Sequence, residues 1–83
     1  MSVKNSKAYR VQVGAYKDED MAKRCVKRLF NDWGINSLIK KEHGRYKVQA
    51  GYFNNRKNAE KYVDWLWEAP RRIKSFIQIV EEQ

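Results

Sequence analysis

At 83 residues the chain has room for one small domain, and 18 lysines and arginines against 10 aspartates and glutamates leave a formal charge of +8. A single cysteine excludes an internal disulfide, no apolar run approaches the roughly twenty residues that span a bilayer, and no apolar signal stretch follows the start methionine. The charge favours a polyanionic partner, whether nucleic acid, anionic membrane or acidic cell-wall polymer, and does not choose among them.

A polar leader, 1–7, is expected to be loosely ordered, with a single domain over 8–83. The first element is the word YRVQVGAY, in which Tyr9, Val11 and Val13 alternate with Arg10, Gln12 and Gly14, the period-two pattern of a half-buried strand. Asp18 then serves as a helix cap, and Glu19 and Asp20 face the positive end of the helix dipole. Ala22, Cys25 or Val26, Leu29 and Trp33 recur at three-to-four spacing, so they form the inward stripe of a helix that Gly34 stops. A second strand is expected over INSLIK from Ile35, and His43 and Gly44 make the following turn. YKVQAGYF then alternates in phase with the first word, sending Tyr46, Val48 and Ala50 inward and Arg45, Lys47, Gln49 and Gly51 outward. Asn55 caps a second helix with Ala59, Tyr62 or Val63, and Leu66 inward, and Pro70 ends it. The last strand is IKSFIQIV from Ile73. Trp33, Tyr46 and Tyr62 read as core, whereas Trp65 replaces Arg28 of the first copy and should point outward.

The chain is thus a duplication, with copies at about 9–42 and 46–80 in which Val11, Gln12, Ala22, Val26 and Leu29 return as Val48, Gln49, Ala59, Val63 and Leu66. With one extra residue in the second copy, Ser75 falls on Ser37 and Ile77 on Ile39. Neither copy can bury its apolar face alone, so the two share a core. The order predicts an α+β fold, a split βαββαβ arrangement of ferredoxin or RNP type, with a four-stranded antiparallel sheet and both helices on one side. The bare face then carries Arg10, Gln12 and Gly14; Asn36, Leu38 and Lys40; Arg45, Lys47, Gln49 and Gly51; and Lys74, Phe76, Gln78 and Val80. The first and third strands are central, which brings Gln12 close to Gln49.

No catalytic set emerges. His43 lies in a turn, Cys25 lies on the inward stripe, and one histidine with one cysteine cannot complete a metal site, so neither enzyme activity nor a cofactor is expected. The bare face suits binding, because glutamines donate and accept, basic groups donate with charge, and Phe76 offers an apolar platform.

VQVGAY with Ala22 and Gly34, followed by VQAGYF with Ala59, resembles the SPOR domain, the sporulation-related repeat family, over Tyr9 to about Val80. That resemblance implies binding of peptidoglycan, in particular glycan strands stripped of stem peptides, by a module attached to a cell-wall amidase of bacterial or phage origin or to a division protein. The place of action would be the cell wall, outside the cell, with export supplied by the parent protein or by phage lysis. By position the resemblance carries binding roles to Gln12, Ala15, Lys47 and Arg45. Ala15 stands where the family often has a polar small residue, Lys47 where arginine is frequent, and Arg45 where some members have an aromatic, for which Phe76 compensates. The candidate glycan-binding set is Arg10, Gln12, Gly14, Ala15, Leu38, Arg45, Lys47, Gln49, Phe76 and Gln78.

Three other readings compete. A single-stranded nucleic-acid-binding domain shares the βαββαβ plan, but the central strands lack its stacking aromatics. An acylphosphatase-like enzyme needs a phosphate-cradling loop where this chain has acids after Tyr16. A dimerisation module would use Trp65 and Trp67 as its seam, although a monomer with no membrane contact is the favoured expectation.

Overall fold

The computed structural model describes residues 6–82. Its elements are β1 (Ser6–Tyr16), α1 (Glu19–Trp33), β2 (Leu38–Glu42), β3 (Arg45–Phe53), α2 (Arg56–Trp67) and β4 (Phe76–Glu82). They form the expected α+β arrangement, an antiparallel sheet in the order β2-β3-β1-β4. Residues 1–5 of the expected leader lie outside the described residues, and Ser6 and Lys7 belong to β1 because they pair with Glu82 and Glu81 of β4.

Local chemistry sets the ends of the elements. The Asp18 carboxylate accepts from the Asp20 amide at 2.9 Å, and the Asn55 side chain accepts from the amides of Lys57 and Asn58 at 2.8 and 3.3 Å. At the end of α1, Gly34 adopts φ 68°, and its amide and that of Ile35 donate to the carbonyls of Phe30 and Leu29. This turn drives Ile35 into the core, where it takes the place expected for Trp33. Trp33, on the last turn, is left exposed. Between β2 and β3, His43 and Gly44 both have positive φ, the two-residue turn whose twist suits an antiparallel hairpin.

Val11 and Val48, from the two central strands, are fully buried against Ala22 and Leu29 of α1 and Ala59 and Leu66 of α2. Both helices therefore cover the face that bears the valines. Ala22 and Ala59 have no exposed surface, as expected where a helix sits close on a sheet. Tyr46 and Tyr62 are half-buried against this core. Trp65 points outward as expected, but its ring is stacked on Tyr62 at 5.7 Å, and the Arg71 guanidinium lies 3.7 Å from its centre.

Candidate functional site

The uncovered face is organised by the pairing of β1 with β3. Tyr9 faces Phe53, Arg10 faces Tyr52, Val11 faces Gly51 and Gln12 faces Gln49; beyond the glutamines, Gly14 faces Val48, Ala15 faces Lys47 and Tyr16 faces Tyr46. Val13 and Ala50 have no partner in this register. Each is a β-bulge, and the two fall at the same place in the duplicated word. The ladder is consequently two-fold symmetric about Gln12 and Gln49.

An inserted residue reverses the alternation that follows it. Gly14 and Gly51 therefore turn toward the helix layer, not to the open face where unbroken alternation placed them. A Cβ on Gly14 would stand 2.8 Å from the Tyr16 ring, and one on Gly51 would stand 2.8 Å from Phe53 and 3.0 Å from Tyr62. The same reversal brings Ala15 and Tyr52 to the open face. The alternation had placed neither there; Ala15 entered the candidate set through the family resemblance alone, and Tyr52, its counterpart in the repeat, was not in the set.

The bulges also delay the edge strands. Leu38 pairs with Gln49 and Phe76 with Gln12, so Ser37 and Ser75 would have to pair with the bulged Ala50 and Val13 and instead remain outside the ladder. This is why β2 and β4 start at Leu38 and Phe76, three residues later than the apolar pattern from Ile35 and Ile73 suggested. Two hollows of about 260 Å³ result. Gln12, Val13, Gly14 and Ala15 line the first together with the entry to β4, Lys74 to Phe76. Gln49, Ala50, Gly51 and Tyr52 line the second together with the entry to β2, Asn36 to Leu38.

Across the middle of the face run Leu38, Gln49, Gln12 and Phe76, one from each strand. Gln12 and Gln49 are only 4% and 8% exposed, while Leu38 and Phe76 are 50% and 55% exposed. The amides thus form a floor between two apolar shoulders. Gln12 Oε1, Gln49 Oε1, Gln78 Oε1, Ser37 Oγ and Ser75 Oγ are buried without a hydrogen-bond partner. Buried oxygens of this kind take a water or a ligand group as partner. Ser37 and Ser75 were not singled out for binding, though their alignment in the repeat was the available signal.

The charges are unevenly placed. Arg10, 5% exposed, starts on β1 and reaches past β3 to β2, where Nη1 donates to both carboxylate oxygens of Glu42 at 3.0 and 3.2 Å. Lys47 Nζ lies 3.4 Å from the same carboxylate. The hydrogen bonds from Arg10, helped by Lys47, hold the Glu42 carboxyl below its ordinary pKa. Lys40 and Arg45 remain exposed beside it, with no carboxylate of the described residues in salt-bridge range. Gln78 stands next to Arg10 on the far side of the face. Of the candidate set, all but Gly14 therefore present their side chains to the open face, with Arg10 neutralised by an acid that sequence reading had not included.

The family model for the SPOR domain matches residues 5–77. No curated protein sequence matches the chain significantly. Among solved structures, the chain is similar to the solution structure of the peptidoglycan binding domain of the B. subtilis cell wall lytic enzyme CwlC, with a TM-score of 0.72 and 24% identity over 100% of this chain and 99% of that one.

Proposed function

The chain belongs to the SPOR domain family, and from that premise we propose that it is a non-catalytic peptidoglycan-binding module that holds peptide-free glycan strands on its open sheet face. It acts at the cell wall as a monomer, and brings an attached wall hydrolase, an N-acetylmuramoyl-L-alanine amidase, to its substrate. The structural relative is itself the binding domain of a cell wall lytic enzyme. The observation that carries the reading is the central row, in which two amide floors lie between the exposed Leu38 and Phe76. Such a strip offers apolar contact to sugar rings and hydrogen bonds to their polar substituents. Removing a stem peptide leaves a carboxylate on each muramic residue, and Lys40 and Arg45 supply unpaired positive charge at one end of the strip.

The test is co-sedimentation with purified sacculi before and after amidase digestion. Digestion should increase retention, and Lys40→Glu/Arg45→Glu should weaken it about tenfold, since two exposed charges are reversed while the core is untouched. Equal retention of the folded double variant would remove the charged end from the site. A second reading keeps single-stranded nucleic acid, because Tyr52 exposes a ring on a central strand. Salt-sensitive binding of poly(dT) with no retention on sacculi would favour it.

A further inference from the structure

The two hollows correspond residue by residue. Gln12, Val13, Gly14 and Ala15 stand where Gln49, Ala50, Gly51 and Tyr52 stand in the other, and Lys74, Ser75 and Phe76 where Asn36, Ser37 and Leu38 stand. Each has one buried glutamine Oε1 and one buried serine Oγ without a partner. Each also has an exposed apolar wall, Phe76 in one and Leu38 in the other, while the bulged Val13 and Ala50 that border them pack on the core. A single group can satisfy all three with an N–H to the amide oxygen, a carbonyl that accepts from the serine hydroxyl and a small apolar end against the wall. An acetamido substituent has that composition, and a lone sugar hydroxyl lacks the apolar part.

The hollows differ in charge. Lys74 borders the first, and Ala15 in its lining pairs directly with Lys47. In the second, Asn36 replaces Lys74, the ring of Tyr52 replaces Ala15, and the nearby Arg10 already has its charge engaged by Glu42. We propose that the hollows are a matched pair of acetamido-sugar subsites, of which the one beside Lys74 takes a carboxylate-bearing sugar and the one beside Asn36 and Tyr52 takes a neutral one. This rests on the glycan-binding reading and deepens it, because it assigns a sugar to each side of the glutamine pair.

Amide-resolved NMR titrations with three tetrasaccharides test it: peptide-free wall glycan, chitotetraose, which is neutral with an acetamido group on every ring, and cellotetraose, which has hydroxyls in their place. Chitotetraose should shift amides around both hollows and bind at least tenfold more tightly than cellotetraose. Ser37→Ala and Ser75→Ala should each weaken chitotetraose about threefold to tenfold. Lys74→Gln should weaken the wall glycan about fivefold and leave chitotetraose unchanged, and Asn36→Lys should strengthen the wall glycan alone. Equal binding of chitotetraose and cellotetraose, or a Lys74→Gln loss of the same size for both acetamido sugars, would overturn the assignment. Wild-type protein that binds amidase-treated sacculi under those outcomes would leave the broader reading standing, whereas protein that ignores sacculi altogether would sink both.

Discussion

The two ends of the open face are copies of one another and have opposite chemistry. At one end Arg45 stands opposite Glu42 in the strand register, and Lys47 stands between Lys40 and Ala15. At the other, the equivalent places hold Ala8 opposite Val80, and Arg10 between Gln78 and Tyr52. The centre of the covered face is repeated unchanged, since Val11, Ala22 and Leu29 return as Val48, Ala59 and Leu66 and all six are buried, and around it Cys25 for Tyr62 or Val13 for Ala50 changes size without adding charge. Positions packed on the core must stay uncharged in each copy. Open positions are free of that constraint, and one duplicated scaffold therefore carries a charged end and a neutral end on the same face.

The glycines after the bulges give the largest expected break in this symmetry. Gly51→Ala drives a methyl against Phe53 and Tyr62, and Tyr62 cannot yield easily because Trp65 and then Arg71 are stacked behind it. We expect a loss of about 2 kcal/mol, a fall in Tm of roughly 10 °C. Gly14→Ala meets the far end of the Tyr16 ring, which packs on the core and is hydrogen-bonded to Cys25 but has no second ring stacked behind it, and the gain from restricting the unfolded chain offsets part of the contact. Thermal unfolding of the two variants should therefore differ by several degrees. Equal Tm values would mean that the two bulges are mechanically equivalent.

Next in size is Glu42, the acid that draws the basic residues of both copies to one end. Glu42→Gln leaves the buried Arg10 without a counter-charge, and because Glu42 is about a third exposed we expect a cost of about 1 kcal/mol. The pH dependence has a definite sign. The folded-state pKa is lowered by Arg10 and Lys47, so the pair stabilises the fold above the ordinary glutamate value of about 4.3 and loses its contribution as pH falls through the lowered value. The Tm gap between wild type and Glu42→Gln should be full at pH 6 and close as the solution is acidified below about pH 4. A gap that persists at pH 2 would show that the carboxylate charge is not its source.

What could be read before the fold was known follows from local rules. The six elements, the caps Asp18, Asn55 and Gly34, and the inward valines, alanines and leucines are all set by neighbours within a turn or a pleat. Even the meeting of Gln12 with Gln49 follows once the duplication is recognised, since the two central strands carry the same word. The bulges are not local in that sense. Val13 and Ala50 read as ordinary inward residues, and their lack of a partner exists only when β1 and β3 are paired. From that one omission come the misplaced glycines, the overlooked Tyr52 and the late starts of β2 and β4. The bond from Arg10 to Glu42 joins residues 32 apart, and no pattern along the chain announces it.

The smallest expected change in stability comes from the positions where the two halves differ most in shape. Ala15 and Tyr52 are symmetry counterparts on the exposed face, so Ala15→Tyr should alter stability by no more than about 0.5 kcal/mol, and Tyr52→Ala, which also gives up a side-chain interaction, by less than about 1 kcal/mol. Their effect on ligand should be larger. Tyr52→Ala removes the ring beside the second hollow and should weaken chitotetraose about threefold, within the range of a lost stacking contact. The exchange Ala15→Tyr/Tyr52→Ala keeps one ring and moves it across the two-fold to the side of Lys47. If the halves are equivalent frames with different fittings, the exchanged protein regains wild-type affinity for this neutral sugar, and the largest ligand-induced shifts move from the amides of Gly51 and Tyr52 to those of Gly14 and Ala15. If affinity stays at the Tyr52→Ala level, the backbone of the first hollow does not present a ring as the second does, and the equivalence inferred from the bulges ends at the main chain.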